Sequence, residues 1–494
     1  MIINVVFRRG GSCNDIAPTD GNSIPDGVTF VRIRSQFDSS FAKLDYDCNT
    51  FVDILKKHSM KIPTIDLKEF DELCPEYLAL LVTCFGKAEC LCLTDGLVGD
   101  AGYSCLMSCF LQQDGPTELE FHARNNDFST SQAQLFFGGI GYSSTLKQLN
   151  VIRIEDEPSP FADEQAGRAL VDALRRNRGL ESLWISNGIF YEDASNEIMP
   201  RVFEVAIMET QVRDLDIEQC SIPYDTMVEV LCREDCSLEK LSTKSVRYLP
   251  QSSSQFAKTT DAENMPKNSS VKKCAMHYAG LESARVMDVL GIFTSLVDLD
   301  LSGNQIEDLS PFDPLLLGDN LTLRRLVLSE NNIGDNEAAV FFRKIPNMKC
   351  LRVLDMDDNL FLKRFFHRRR LSLARGTEDN SEPLWLSVLA DISWRNIPLD
   401  QISLGTSEWY YDPLIWSKVC VPLWLNRGGR RDLEPLDLSS NTPIGENLWP
   451  LVLQRAGKIS YCNPGLHWRP ELDKEKPELN VVYWLLREKV QFLS

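Results

Sequence analysis

Apolar and polar positions alternate over 296–301, where the chain reads Leu-Val-Asp-Leu-Asp-Leu, and the alternation ends just before Asn304. Alternation at period two predicts a short strand with one buried face. The asparagine that follows predicts a turn whose free backbone groups its side chain can bond. The same pattern returns at 323–335 (Leu-Arg-Arg-Leu-Val-Leu-Ser-Glu-Asn-Asn-Ile-Gly-Asp) and at 351–361, with Asn359. In a looser form it runs through most of the chain. Its last inward strand position falls at Leu67, Leu93, Phe121, Val151, Ile185, Ile217, Thr243, Leu301, Leu328, Met356, Leu404 and Leu438. Between strands lie helix-length amphipathic stretches. The clearest is 161–177, where Ala166, Ala169, Leu170, Ala173 and Leu174 share one face.

This is the L-x-x-L-x-L-x-x-N-x-L pattern of leucine-rich repeats. A strand and a full helix in each repeat predict an α/β fold: a right-handed solenoid, or horseshoe, with parallel strands on the concave face and helices on the convex face. The motif Ile333-Gly334-Asp335, its counterpart Val98-Gly99-Asp100 and the 161–177 helix carry a closer resemblance. They resemble the ribonuclease-inhibitor-like repeats, also found in Ran GTPase-activating proteins and in the sensor ends of NOD-like receptors. The resemblance covers roughly 60–465, strongest over 296–361. The asparagine slot holds Gly96, Arg124, Gly188 and Cys220 in the N-terminal half, so an unbroken asparagine ladder is not expected there.

The expected organisation follows from where the pattern starts, breaks and stops. Residues 1–60 read as an N-terminal cap with a degenerate strand near 28–33, and 61–244 as the first set of repeats. Residues 245–273 form a basic insertion, expected to be disordered. A second set of repeats spans 274–465 and contains a further insertion at 362–382, and 466–494 reads as a capping helix. Both insertions are expected to leave the C-terminal ends of strands as flexible basic loops, against a chain whose net charge is −19. They would wave in solvent or fold over an acidic trough as a lid.

That acidity argues against nucleic-acid binding, which needs a basic footprint. No apolar run is long enough for a bilayer. The 15 cysteines cannot all pair within the chain, and many sit in apolar contexts, which points to free thiols in a reducing, cytoplasmic (or nuclear) compartment. The sequons at Asn268 and Asn320 then carry no meaning. No phosphate loop, dinucleotide fingerprint, zinc-protease or nucleophile-elbow motif occurs, so no catalytic residue, metal or cofactor is expected. His122 reads as a solvated surface histidine.

The chemistry concentrates instead on the outward strand positions. These are Glu118 and Glu120; Trp184; Asp214, Asp216 and Glu218; Asp298 and Asp300; Asp355 and Asp357; and Asp437, with Lys240, Lys244 and Arg325 as basic exceptions. Carboxylates stacked on neighbouring strands make a negative trough, which reads as a docking face for a basic protein or as a solvated face. Trp184 reads as an interface anchor or a packed ring. Arg368, Arg369 and Arg370 read as a phosphate patch, a localisation signal or a solvated basic loop. The expectation is a non-enzymatic, monomeric protein-interaction scaffold. The resemblance implies two alternatives: a regulator of a small GTPase, or the sensor or substrate-receptor subunit of a larger complex.

Overall fold

The computed structural model describes residues 2–7, 30–35, 62–66, 88–94, 110, 115–123, 130–153, 164–186, 192–219, 221–233, 236–245, 247–249, 268–283, 286, 290, 292–313, 322–376, 381–393, 397, 399–404, 415, 418, 419 and 423. It divides into two units, 1–271 and 272–494.

In the first unit a parallel sheet runs in chain order through β1 (Ile2–Phe7), β2 (Phe30–Ser35), β3 (Ile62–Asp66), β4 (Ala88–Thr94) and β5 (Glu118–Ala123). Helix α1 (Thr130–Tyr142) leads to β6 (Gln148–Arg153), α2 (Glu164–Arg176) to β7 (Ser182–Ile185), and α3 (Glu192–Met208) to β8 (Asp214–Glu218). Then come β9 (Ser221–Pro223), α4 (Tyr224–Leu231), β10 (Lys240–Lys244) and β11 (Arg247–Leu249).

The register stacks like on like. Leu91, Leu119, Leu149, Leu183, Leu215 and Leu241 align in one row, and Leu93, Phe121, Val151, Ile185, Ile217 and Thr243 in the next. Every one of these side chains is buried. Phe121 packs its ring 4.4 Å from that of Phe136 on α1, so the apolar face of the strands lies against the helices.

The second unit repeats the scheme in β12 (Lys273–His277), β13 (Asp298–Asp300), β14 (Arg325–Val327), α5 (Asp335–Lys344), β15 (Val353–Asp355), α6 (Leu360–Ala374), α7 (Leu384–Ser393) and β16 (Gln401–Ser403). Its strands are parallel and pair in chain order. Cys274, Leu299, Leu326, Leu354 and Ile402 form the inner row and are buried.

Here the turns are held by an asparagine ladder. Asn304 donates to the carbonyls of Met276 (2.7 Å) and Leu301 (2.8 Å) and accepts from the Ala279 and Leu281 amides. Asn331 donates to Leu301 and Leu328 and accepts from the Ile306 amide, and Asn359 makes the corresponding bonds one repeat on. Each side chain thus satisfies backbone groups of two repeats at once. The architecture is an α/β leucine-rich-repeat solenoid.

In the first unit, where Cys220 holds the asparagine slot after β8, the chain continues into a second backbone pairing. β9 and β11 form a separate parallel pair, Ser221 to Pro223 beside Arg247 to Leu249.

Four sequence expectations change. The inward position between Thr243 and Leu301 is Met276 on β12, a strand that the pattern missed. Residues 1–60 contain two strands of the sheet, β1 and β2, rather than one degenerate strand. Of 362–382, expected as a flexible loop, 362–374 belong to a helix, α6, anchored by buried Phe361, Leu362 and Phe365. In the other insertion, 247–249 is strand β11, while Asn268 and Val271 are buried; 250–267 lie outside the described residues. Leu67, Asp437, Leu438, Asn320 and 466–494 also lie outside them.

Candidate functional site

Strand alternation turns every second residue away from the helices. On β8 the pattern is half-buried Asp214, Asp216 and Glu218 around buried Leu215 and Ile217. Among the described residues, the acidic side chains singled out in the sequence lie on the outward side of the strands or just after them in each unit, but few stand bare.

In the first unit, Glu118 accepts from the Gln148 side-chain amide at 3.0 Å. Glu120 bonds His122 along its own strand and lies 3.8 Å from the Cys92 thiol. His122 is 7% exposed, so it is a buried partner of Glu120 and not a solvated surface residue. Lys240 stands opposite Asp214 in register and pairs with it at 3.0 Å. Lys244, opposite Glu218, approaches it to 4.0 Å, and the Ser186 hydroxyl donates to Glu218 at 2.9 Å. The two lysines that broke the acidic pattern are therefore its cross-strand counterions.

Trp184 and Asp216 differ from their neighbours. They face each other across β7 and β8. The Trp184 Nε1 and the Asp216 Oδ1 are both screened from water without a hydrogen-bond partner. Burial pushes the Asp216 carboxyl above its ordinary range, offset in part by its bond with Ser242. A half-buried ring with an idle indole N–H and a carboxylate with an idle oxygen thus stand at the same register level of neighbouring strands.

On the second unit, Arg325 pairs with Asp298 opposite it at 3.0 Å. Asp300 takes the Ser302 hydroxyl and amide, with His277 at 3.6 Å. Asp355 accepts the Asp357 amide at 3.1 Å, and burial raises its carboxyl. Asp357 accepts the Ser403 hydroxyl at 2.8 Å.

Sequence reasoning missed a group at the end of these strands. Tyr278 donates its hydroxyl to Glu330 at 2.8 Å. Tyr278, Glu330 and Asp358 all have left-handed φ, of 51°, 56° and 54°. Each stands two places beyond a last inward strand residue, a signal readable only once Met276 is recognised as such a residue. Cys90 and Cys92, also on the outward side of β4, lie 3.8 Å apart as free thiols. Arg368, Arg369 and Arg370, by contrast, lie on helix α6. Among the described residues no three His, Cys, Asp or Glu side chains are grouped to hold a metal, and no helix is long and apolar enough to cross a membrane.

No protein-family model matches the chain, and no curated protein matches it. Among solved structures it is similar to one titled the crystal structure of the mouse RP105/MD-1 complex, at 12% identity and a TM-score of 0.33. That likeness covers 71% of this chain and 59% of the other, less than two thirds of the latter's length.

Proposed function

We propose that this protein is a non-enzymatic interaction scaffold, of the ribonuclease-inhibitor-like type, that binds a basic protein segment on the outward face of its strands. The observation that carries the reading is the pair of unsatisfied atoms at Trp184 and Asp216. A buried polar atom without a partner costs free energy in the unbound protein. A lysine or arginine of a partner would satisfy the Asp216 oxygen once the carboxylate turns outward, while its stem packs on the Trp184 ring, so binding would recover the carboxylate's share of that cost. Asp214 and Glu218 flank Asp216 on its own strand, and although Lys240 and Lys244 share their charge, they keep the surroundings of Asp216 acidic and favour a cationic ligand over a neutral one. A strand with a full helix per repeat, as in β6–α2–β7–α3–β8, supports the subfamily assignment.

The six free cysteines among the described residues support a reducing compartment, read here as cytoplasmic. Burial pushes the Cys274 thiol up to about 12, so it is inert packing rather than a nucleophile.

The test is fluorescence anisotropy with a labelled arginine-rich peptide at low salt. Trp184→Ala and Asp216→Asn should each weaken its binding severalfold while leaving the circular dichroism spectrum unchanged. Equal affinity for the wild type and both variants sinks the reading. A GTP-hydrolysis assay with small GTPases separates this scaffold from the GTPase-regulator alternative, because the scaffold accelerates none.

A further inference from the structure

Helix α6 carries a second surface of opposite sign. From 360 to 375 the sequence holds six Lys and Arg and no Asp or Glu, within a chain of net charge −19. One side of the helix is firmly seated. The Phe361 and Phe365 rings lie 5.0 and 5.7 Å from Trp385, and Phe361 lies 6.2 Å from Phe342. The Arg369 guanidinium sits 5.9 Å over the Phe365 ring, so its stem belongs to the seated side.

The opposite side is exposed. Lys363, His367, Arg370 and Leu371 follow one another at helical spacing, all exposed, and Leu371 is 42% exposed despite being apolar. Arg364 and Arg368 flank this stripe and reach toward a single carboxylate, Asp335, at 3.9 and 4.0 Å.

Stability does not account for this composition. Like charges three and four residues apart, such as Arg364 with Arg368, disfavour the helix by a few tenths of a kcal/mol per pair, roughly. The aromatic seat holds the helix in spite of that repulsion. The result is a rigid rod of positive charge with one apolar contact point in its stripe.

We infer that this face of α6 docks an acidic segment of a protein partner, whose carboxylates meet Lys363, His367 and Arg370 and whose apolar residue covers Leu371. The anion is a short peptide rather than nucleic acid or a lipid surface. Without the six cations of 360–375 the chain holds 46 Lys and Arg against 71 Asp and Glu, from totals of 52 and 71. A long polyanion would meet that excess of negative charge. A short segment feels only the charges within about 8 Å, the Debye length at physiological salt. This surface is independent of the Trp184 site and takes the opposite kind of ligand, so either proposal can fail alone.

The experiment uses the full chain and a fluorescein-labelled glutamate-rich peptide containing one central leucine, read by anisotropy. Single-stranded DNA and phosphatidylserine vesicles run in parallel. Binding at low salt, weakened about tenfold by Lys363→Glu with Arg370→Glu, is the expected result, since each reversed contact is worth about 0.5–1 kcal/mol. Leu371→Ser, which removes no charge, should weaken binding at high and low salt alike. Thermal melts of both variants should match the wild type, because neither change touches the aromatic seat. The inference is overturned if the peptide does not bind, if the charge reversal leaves its affinity unchanged, or if DNA or vesicles bind the helix more tightly than the peptide does.

Discussion

Asn331 sits where two repeats meet, buried to 2% exposure, and its amide serves the carbonyls of Leu301 and Leu328 while its oxygen takes the Ile306 amide. Removing it takes the acceptor from the Ile306 amide in a dry turn and one of two asparagine donors from each carbonyl, which Asn304 and Asn359 still serve. Asn331→Ala should therefore cost about 1–3 kcal/mol, seen as a lower urea midpoint with an unchanged slope. Two places after the last inward residue of six repeats the chain turns left-handed, at Gln219, Ser245, Tyr278, Gly303, Glu330 and Asp358. At Gly303 the glycine is required twice over: its φ is +69°, and an added Cβ would come within 2.3 Å of the Tyr278 ring. Gly303→Ala should lose more than the roughly 1 kcal/mol that a left-handed alanine ordinarily costs. Asp216 gives a pH signature. Burial raises its carboxyl in the folded state, so the folded protein holds that proton more tightly than the unfolded chain. Its contribution to stability is complete below the ordinary aspartate value near pH 4 and is lost as pH rises through the raised one. Asp216→Asn should accordingly stabilise the protein by about 1 kcal/mol at pH 7, and the gain should vanish below about pH 4 in thermal melts. Asn268 shows why a sequon is not a site. It is 3% exposed, donates to the Leu231 carbonyl and accepts the Ser270 and Val271 amides, so the folded protein offers it to no glycosyl transfer.

At the scale of elements, α6 departs furthest from the sequence reading. Eight residues from Lys363 to Arg370 look like a solvated basic run, yet Phe365 at 3% exposure shares an aromatic seat with Phe361 and Trp385. Phe365→Ala should cost about 3–5 kcal/mol by opening a cavity there. It should also melt the α6 face, so glutamate-peptide binding should fall with it, whereas arginine-peptide binding at Trp184 is spared. The pair β9 and β11 makes a similar point from the other side. Ser221–Pro223 and Arg247–Leu249 show no strand pattern, and Ile222 is nevertheless fully buried. Three-residue strands carry too little alternation to be read, and their pairing depends on neighbours 26 residues away in register.

For the whole molecule, charge and periodicity are matters of sequence. The inward frame places Leu93, Phe121, Val151, Ile185, Ile217, Thr243, Leu301, Leu328, Met356 and Leu404, and all of them are buried. That is legible because each repeat must bury the same face against the next, so the pattern recurs whether or not any one repeat is ideal. The outward acidic positions are legible for the same reason, since strand alternation assigns them mechanically. The register between strands is not local, and it decided the rest. It set Lys240 against Asp214 and Arg325 against Asp298, turning a run of carboxylates into a ladder of pairs. It left Trp184 and Asp216 with atoms that nothing satisfies. It admitted β12, whose Lys-Cys-Ala-Met-His carries no leucine, because Cys274 and Met276 fill the two inward rows all the same. And it made a helix of a basic run, because burying two phenylalanines against Trp385 outweighs the repulsion of the arginines between them.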